Sequence, residues 1–583
     1  MCGIAGVFLP QKENKLNIVK CMTDALIHRG PDGEGHWHSQ SAGVTLGHRR
    51  LAILDLTENA NQPMHFNNRY TIVFNGEIYN YVELKKQLVK EGYNFKSNSD
   101  TEVILALYDK KKEDCLADLE GMFAFALWDE ERQSLFCARD RFGEKPFFYY
   151  FDKDKGFYFA SEMKALWSVG IPREPNVNLL HLFLESGVCL HPTDQTKTFY
   201  NGIKQIDSGQ YLKISSNSFT PIVKKYYSLD NLEINHDIGF DEAKDKFRSL
   251  LSESINRRLR SDVAIGSSLS GGIDSSSIVL MINSMKANNS IQKTFSARFS
   301  NFEKDEGEFI KEVIAKSNDI LSHEVWPNGD DFNNSLDRII YHQEEPFGSA
   351  SIFAQWKVLE LAKKCGVTVM LDGQGADEHL AGYLHYYNLY LSQLYQNDYD
   401  TFLEEVENYR IRRNIIHPLH PDRQTIKNKL GRIKRKISKN TISINNSNLS
   451  NTLKNDLMVT GLKELLRYAD RNSMAHSVEV RLPYLDHNLV EFVVQMPDNY
   501  KLNQAWTKFL LRKSMEDILP PKIAWRVDKI AYETPQNNWL SNIKSSVQTK
   551  VILEYFNDFG ISIKKNDIDN ISDWNYYLTS KYI

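Results

Sequence analysis

The hydrophobic pattern of the chain changes between residues 215 and 235. Before that point, short alternating or apolar runs separated by turn residues dominate, with a few helical stretches between them. After it the helical patterns lengthen, and two apolar runs, 263–269 and 367–371, stand between helices. Alternating runs are typical of antiparallel strands, whereas apolar strands between helices are typical of a covered parallel sheet. The pattern predicts an α+β layered sandwich, a linker at 208–235, and an α/β parallel-sheet domain with many helices.

Length and composition exclude several classes of protein. A single hydrophobic core rarely exceeds about 250–300 residues, so 583 residues predict at least two domains. The mean hydropathy is −0.45 and no apolar run reaches about 18 residues. These values exclude a transmembrane helix, so no membrane partner is predicted. A net charge of −4 argues against a nucleic-acid partner. One basic segment, 423–455, fits a solvated insertion better than a nucleic-acid patch.

The six cysteines are scattered and include no CxxC pair. They therefore predict neither a zinc site nor a disulfide framework, and they favour a reduced, cytoplasmic enzyme. Cys2 is the exception whose position suggests chemistry. Removal of the initiator Met would give it both a thiol and a free α-amine, which can act as base toward that thiol. A thiolate can attack an amide carbonyl; the alternative is a buried structural cysteine on a terminal strand.

Four later residues could complete a site around Cys2. Asn75 and the backbone of Gly76 could donate hydrogen bonds to a developing oxyanion. Arg50 and Asp100 have opposite charges, so they could hold the carboxylate and the ammonium group of an amino acid. Each has a plain alternative, because Asn-Gly after a strand is a strong turn signal and single charges usually lie on the surface.

The motifs around these residues closely resemble the class II glutamine amidotransferases. In order, they are MCGIAG at 1–6, HRGPDG at 28–33, RLAILD at 50–55, FNGEIYN at 74–80, SDTE at 99–102, GMFAFA at 121–126 and RDRFG at 139–143. The resemblance implies an N-terminal-nucleophile fold, a four-layer sandwich, in which Cys2 attacks the amide of glutamine. Asn75 and Gly76 would stabilise the oxyanion. The implied glutamine-binding residues are Arg50, Leu51, Ala52, Ile53, Leu54, Asn75, Gly76, Glu77 and Asp100.

A second candidate site follows the first apolar run of the C-terminal half. LSGGIDSS at 269–276 lies between a predicted strand and a predicted helix, where backbone N–H groups form an anion cradle. A flexible Ser/Gly turn is the alternative, and the Walker pattern GxxxxGK[ST] is absent from the sequence. The string resembles the pyrophosphate motif of ATP pyrophosphatases. The resemblance implies an ATP site formed by Leu269, Ser270, Gly271, Gly272, Asp274, Ser275, Ala297, Asp372, Gly373 and Lys529.

The second apolar run leads into DGQGADE at 372–378. Loops at the carboxyl ends of parallel strands meet at one edge of a sheet, so this loop should face the first one. The resemblance implies that Asp274 binds Mg²⁺, and Asp377 is a reasonable second ligand because hard cations prefer carboxylate oxygens and bridge phosphates. The stretches 466–476 and 479–486 also match the family, and we interpret their charged residues mainly as scaffold.

Together the two halves resemble the glutamine-hydrolysing asparagine synthetases of the B type. The resemblance implies a glutaminase domain at 2–212 and a synthetase domain at 235–583. It implies that L-glutamine, ATP and L-aspartate are the substrates, that β-aspartyl-AMP is the intermediate, and that ammonia moves between the domains along an apolar path. A homodimer is one possible assembly.

One residue departs from the family pattern. The family loop reads SGEG, where this chain has DGQG at 372–375. The family's glutamate is implicated in forming the aspartyl-AMP intermediate, and the neutral Gln374 cannot act as a base or bind a cation in its place. Another carboxylate acceptor, such as a uronic-acid sugar or a peptide precursor, therefore stays open.

Overall fold

The structure is a computed structural model, and it describes residues 2–11, 13–285, 291–421, 448–527, 534–536, 539, 549–561 and 573–583. The strands of its first half are β1 Gly3–Leu9, β2 Gly33–His38, β3 Gly43–Arg50, β4 Met64–Phe66, β5 Tyr70–Ile78, β6 Gly121–Asp129, β7 Ser134–Arg139, β8 Phe148–Asp152, β9 Gly156–Ala160, β10 Ile203–Gln205, β11 Gln210–Ser215 and β12 Ile222–Lys225. The strands of the second half are β13 Ile265–Ser268, β14 Gln292–Ala297, β15 Ile320–Val325, β16 Val369–Leu371 and β17 Glu479–Arg481.

Helices of the first half are α1 Leu16–Asp24, α2 Tyr81–Lys90, α3 Asp100–Lys111, α4 Met163–Trp167 and α5 Val177–Ser186. Those of the second half are α6 Phe240–Arg258, α7 Ile273–Met285, α8 Gly307–Ile314, α9 Gly329–Gln343, α10 Ser351–Lys364, α11 Ala376–His379, α12 Leu384–Asn397, α13 Tyr399–Arg413, α14 Leu449–Met458, α15 Gly461–Met474, α16 His487–Val494, α17 Asp498–Lys501, α18 Phe509–Met515, α19 Pro521–Ala524, α20 Thr549–Asp558 and α21 Asp573–Tyr582. Short 3₁₀ helices cover Glu58–Ala60, Lys112–Ala117 and Pro483–Leu485.

The strands β1 to β12 form two antiparallel sheets of six strands each. Sheet A has the order β10-β8-β9-β1-β3-β2, and sheet B has the order β12-β11-β7-β6-β5-β4. Because side chains alternate along a strand, Ile4 and Phe8 of β1 pack between the sheets with Trp128, whereas Ala5 and Val7 pack outward. Helices α1, α4 and α5 cover the outer face of sheet A, and α2 and α3 cover that of sheet B. These four layers confirm the predicted sandwich.

The turn that Asn75-Gly76 suggested as the plain alternative does not form. Strand β5 continues through both residues and pairs with β6, with Asn75 opposite Ala124 and Gly76 opposite Phe123. Pairing along the whole of β6 outweighs the local turn preference. Glycine is required here for space, because a Cβ on Gly76 would lie 2.2 Å from the carbonyl oxygen of Met122. Asn75 is therefore held in the interior of a sheet rather than on a loop.

The predicted linker at 208–235 is partly structured. Strand β11 pairs with β7, and β12 pairs with β11 at the edge of sheet B. The reason is burial, since Leu212 and Ile214 fill the apolar space between the two sheets. Sheet B thus extends to Lys225, beyond residue 212. The domain boundaries at 212 and 235 stay a prediction.

The strands β13 to β17 form the predicted parallel sheet, in the order β15-β14-β13-β16-β17. Every neighbouring pair in this sheet is parallel. The two apolar runs predicted as strands are β13 and β16, and these two strands are neighbours. The loops at 269–272 and 372–375 therefore leave the same edge of the sheet side by side, as predicted.

Buried ion pairs join the two halves. Arg29 donates to both carboxylate oxygens of Asp470 on α15, at 2.8 and 3.0 Å, and to Glu162 at 2.7 Å. Arg471, the next residue on α15, lies 3.3 Å from Glu162 and 2.8 Å from Glu344. None of these five residues is more than 4% exposed. Because a buried charge depends strongly on its partner, the two halves are held in one relative position.

Replacing Asp470 with asparagine should destabilise the protein by about 3–5 kcal/mol, because the buried Arg29 loses a charged partner. Burial alone would raise the pKa of Asp470, but the Arg29 guanidinium outweighs it and holds the pKa below its usual range. Thermal and urea unfolding measure the loss. The matched control is Asp517→Asn, whose exposed ion pair with Arg248 should contribute less than about 1 kcal/mol. Equal losses in the two variants would contradict this reading.

Two candidate active sites

The first site is a pocket of about 40 Å³ around Cys2, which lies just before β1. The backbone nitrogen of Cys2 donates to Asn75 Oδ1 at 3.0 Å, and the thiol lies 4.0 Å from the carbonyl oxygen of Leu51. Burial raises the pKa of the Cys2 thiol. A base close to the sulfur is therefore needed to form the thiolate at neutral pH.

Asn75 is placed to stabilise negative charge beside the thiol. Its Oδ1 is engaged by Cys2, while its buried Nδ2 has no hydrogen-bond partner among the described residues. An unused buried donor is uncommon and costs about 1–3 kcal/mol. Such a donor gains its partner when a substrate oxygen beside it becomes an oxyanion. An oxyanion-binding role for Asn75 requires this arrangement.

Two charged residues of opposite sign also line the pocket. Arg50 is fixed by oxygens of its own loop, donating to Thr57 O and to Asn61 Oδ1 at 2.9 Å each. Asp100 begins helix α3 and accepts the N–H of Ile78 at 2.9 Å. Burial raises the pKa of Asp100 to about 6. Two charges held in this way can bind the carboxylate and the ammonium of an amino acid together.

The pocket brings together most of the predicted glutamine-site residues. Those that line it are Cys2, Arg50, Leu51, Ile53, Leu54, Gly76, Glu77 and Asp100. Asn75 contacts Cys2 directly. Ala52 is absent from the described lining of the pocket, and its N–H donates to Asp32 at 2.9 Å.

One lining residue comes from the second half of the chain. Glu479, on the edge strand β17, is fully buried and lines the Cys2 pocket. The sequence pattern around 479–486 favoured a scaffold role. No local signal could have placed Glu479 here, because the contact joins distant parts of the sequence across the interface between the halves.

The second site is a cavity of about 370 Å³ at the carboxyl ends of β13 and β16. The predicted residues that line it are Leu269, Ser270, Gly272, Asp274, Ser275, Asp372, Gly373, Gln374 and Asp377. Gly271 and Ala297 are not part of its described lining; Ala297 is the last residue of β14, and Gly271 packs against Phe309. Lys529 lies outside the described residues.

The loop after β13 is closed by its own serines. The Ser270 N–H donates to Ser275 Oγ at 3.2 Å, and the Gly272 N–H donates to Ser270 Oγ at 3.3 Å. Gly271 has a φ of +76°, a conformation that side-chain-bearing residues rarely adopt. Helix α7 begins at Ile273, so its first N–H groups and the positive end of its dipole lie at the cavity wall. This loop can hold phosphate oxygens.

A lysine that the sequence did not reveal lies between the two predicted metal ligands. Lys508 Nζ is 2.5 Å from Asp274 Oδ2 and 2.8 Å from Asp377 Oδ1. Burial alone would lower the pKa of Lys508, but the two carboxylates outweigh it and raise the pKa. The side chain is therefore a fixed positive charge in the cavity wall. A single lysine before a short helix carries no motif, so only the fold could identify it.

Asp274 and Asp377 also fit a magnesium ion. Both line the cavity beside the loop at 269–272, and both reach the single ammonium group of Lys508. They can therefore face one cation together. Carboxylates that share a cation with phosphate oxygens are the ligands Mg²⁺ prefers, so the donor set agrees with the predicted metal.

The loop after β16 carries the residue that departs from the family pattern. Asp372, at its start, accepts from Ser268 Oγ at 2.9 Å, and its N–H donates to Arg481 O at 3.0 Å. Gln374 lines the cavity, and its buried Oε1 has no hydrogen-bond partner in the described part of the chain. This oxygen is placed to accept a hydrogen bond from a bound molecule, whereas a carboxylate here could also bind a cation.

Two family models match the chain. One, described as a glutamine amidotransferase domain, matches residues 1–227. The other, described as asparagine synthase, matches residues 246–557, which is more than half of the chain. The chain belongs to the asparagine synthase family.

Several known proteins can be aligned with most of the length of this asparagine synthase family member. Asparagine synthetase [glutamine-hydrolyzing] 1 of Bacillus subtilis is 31% identical, over 95% of this chain and 90% of that protein. Asparagine synthetase [glutamine-hydrolyzing] 2 of the same organism is 32% identical, over 89% of this chain and 70% of that protein. Amidase chry2 of Gibberella zeae is 28% identical, over 88% of this chain and 84% of its own length.

No helix in the described part of this synthetase-family chain is long and apolar enough to cross a bilayer. The cytoplasmic location, the homodimer and the lack of a nucleic-acid partner stay predictions. The nucleic-acid alternative depended on the basic segment 423–455, and residues 423–447 of that segment lie outside the described residues.

Proposed function

We propose that this family member is a glutamine-dependent, AMP-forming asparagine synthetase. L-aspartate, ATP, L-glutamine and water would give L-asparagine, AMP, pyrophosphate and L-glutamate. The observation that supports this is the presence of two unlike pockets in one chain. One holds a thiol beside an unused amide donor, and the other holds an anion-binding loop beside Lys508 and two carboxylates.

In the first pocket the Cys2 thiolate attacks the side-chain amide carbon of glutamine, and Asn75 Nδ2 and the Gly76 backbone stabilise the oxyanion. The α-amine of Cys2, once Met1 is removed, accepts the thiol proton and passes it to the amide nitrogen, which leaves as ammonia. Asn75 Oδ1 orients that α-nitrogen from 3.0 Å. Water then hydrolyses the thioester, which releases glutamate and restores the thiol. Arg50 and Asp100 hold the α-carboxylate and α-ammonium.

In the second cavity the phosphates of ATP lie against the loop at 269–272 and Lys508. The acceptor carboxylate attacks the α-phosphorus, pyrophosphate leaves, and ammonia then displaces AMP from the acyl-adenylate. Asp274 and Asp377 would hold Mg²⁺, which when bound neutralises phosphate charge. Lys508 supplies a fixed positive charge to the leaving pyrophosphate.

An apolar interior connects the two pockets. Leu51 and Met122 of the first half belong to the same buried apolar cluster as Leu269, Leu371 and Tyr484 of the second. Ammonia that crosses such an interior meets little water and stays unprotonated. This supports the expected ammonia path.

Gln374 favours a second candidate function, in which the same chemistry amidates another carboxylate. The neutral Gln374 faces the cavity where the family has a glutamate, so an acceptor other than aspartate, a uronic-acid sugar or a peptide precursor, is the alternative. One relative, Amidase chry2 of Gibberella zeae, is named an amidase and not an asparagine synthetase.

The purified protein with L-glutamine and Mg·ATP should form AMP, pyrophosphate and L-asparagine only when L-aspartate is added. Product amide is measured by chromatography for L-aspartate, a uronic-acid sugar and a peptide carboxylate in parallel. Stoichiometric AMP and asparagine support aspartate as the acceptor. AMP formed only with another carboxylate would replace aspartate by the alternative acceptor, and ADP in place of AMP would contradict the adenylation chemistry.

A further inference from the structure

A buried chain of charges runs from the parallel sheet into the Cys2 pocket. Arg481 of β17 is 0% exposed; its Nε donates to Glu479 Oε1 at 2.7 Å, and its Nη2 lies 3.2 Å from Glu77 Oε2. Its Nη1 donates to the backbone oxygens of Arg258 and Arg260 at 2.7 Å each. The second half of the chain thus fixes the guanidinium, which in the first half reaches Glu77 and lies 5.7 Å from the centroid of the Tyr79 ring.

Three buried carboxylates share the pocket that this guanidinium reaches. Glu77, Asp100 and Glu479 all line the Cys2 pocket, and none is more than 5% exposed. Like charges this close in a buried pocket cannot all stay ionised without a cation. Burial raises the pKa of Glu77 well above its usual value; Arg481 opposes this rise, and Asp100 and Glu479 add to it. The ionisation of Glu77 therefore depends on Arg481.

We propose that Arg481 and Glu479, two residues of the synthetase half, set the glutamine affinity of the Cys2 pocket by controlling the charge of Glu77. The inference rests on the glutaminase activity proposed for that pocket. Arg481 favours the negative form of Glu77 against burial and the two neighbouring carboxylates, and the negative Glu77 would bind the substrate ammonium together with Asp100. Glu479 holds the guanidinium from its other side and competes with Glu77 for it. Arg481 acts through Glu77 and is a positioning residue.

The first test is Arg481→Met. Loss of the guanidinium should raise the KM for glutamine at pH 7 by about 10- to 100-fold, the usual effect of losing one charge-assisted interaction. The kcat of glutamine hydrolysis should change much less than the KM, because no reacting group is removed. The charged groups that act on Glu77 are Arg481, Asp100, Glu479 and the α-amino group at the start of the chain, and Tyr81 faces it along the chain. With Arg481 gone, Glu77 ionises only at higher pH, so the KM should recover as the pH rises.

The second test is Glu479→Gln, which should move the pH profile in the opposite direction. Glutamine keeps an oxygen that can accept the Arg481 N–H but removes the competing negative charge. Glu77 and Asp100 then ionise at lower pH, and the acid limb of glutamine binding shifts toward acid. Arg481→Lys keeps the positive charge and should restore most of the glutamine affinity lost in Arg481→Met.

Each variant is also assayed for amide synthesis from ammonium, which reports on folding of the second half. The proposal is supported if the pH dependence of the KM for glutamine moves to higher pH in Arg481→Met and to lower pH in Glu479→Gln. Equal KM values in all variants from pH 6 to 9, shifts of the same sign, or a parallel fall of both activities would overturn it. If Arg481→Met does not fold, Glu479→Gln and Arg481→Lys give the answer. A parent protein that hydrolyses no glutamine would instead reject the proposed function.

Discussion

Replacing Cys2 with alanine should reduce glutamine-dependent amide formation by about 1,000-fold or more, since removing a catalytic nucleophile costs factors of this order. Alanine keeps the backbone nitrogen that donates to Asn75 Oδ1, so the pocket is preserved while the thiol is lost. Synthesis from added ammonium should continue at the parent rate, because the second cavity is untouched. Both activities are followed as AMP and amide formed per enzyme.

The matched control for this variant is Cys21→Ala. Cys21 is an exposed free cysteine on α1, so its loss should leave both activities unchanged. Thiol-directed reagents give a second readout. They should abolish glutamine-dependent synthesis in Cys21→Ala, and they should not change the activity that remains in Cys2→Ala. Glutamine-dependent synthesis that persists in Cys2→Ala would show that the nucleophile is another residue.

Replacing Lys508 with methionine should have the reciprocal effect. Adenylate formation should fall by about 100- to 1,000-fold, the usual cost of removing one group that stabilises charge in a transition state. Glutamine hydrolysis in the Cys2 pocket should persist. Pyrophosphate and glutamate are measured in the same reaction, so the activity of the Cys2 pocket is the reference for the activity of the second cavity.

Loss of Lys508 also leaves Asp274 and Asp377 facing each other, so folding needs its own control. Lys513→Met removes a lysine of the same region whose ion pair with Glu516 is partly exposed, and it should leave both activities unchanged. Thermal unfolding of both variants separates a structural loss from a chemical one. A Lys508→Met protein that forms pyrophosphate at the parent rate would remove this lysine from the phosphate site.

The parts of each site that lie within one motif could be predicted from the sequence. Arg50, Asn75 and Asp100 were all expected, and the fold places them around Cys2. Arg50 ends strand β3, Asn75 lies within β5 and Asp100 begins helix α3, so the backbone of a regular element fixes each side-chain position. The loop at 269–272 could also be predicted, because neighbouring residues of one motif make the hydrogen bonds that shape this anion-binding loop.

The residues that could not be predicted are those brought in by tertiary contacts. Lys508 reaches Asp274 from the residue before a short helix far along the chain, and Glu479 enters the Cys2 pocket across the interface. The local turn signal at Asn75-Gly76 failed for the same reason, since pairing with β6 decides the conformation there. Local preference is a weak guide wherever a partner element supplies most of the interactions.

Glu479 comes late in the sequence but lines the Cys2 pocket, so this pocket is completed late in protein synthesis. Asn75 and Asp100 leave the ribosome first, but the pocket has no Glu479 or Arg481 until these have been translated. At about 5–20 residues per second, that delay is on the order of 20–80 s. In the nascent first half, Glu77 therefore lacks the guanidinium that it contacts in the complete chain. The Cys2 pocket is complete only when most of the asparagine synthase half already exists.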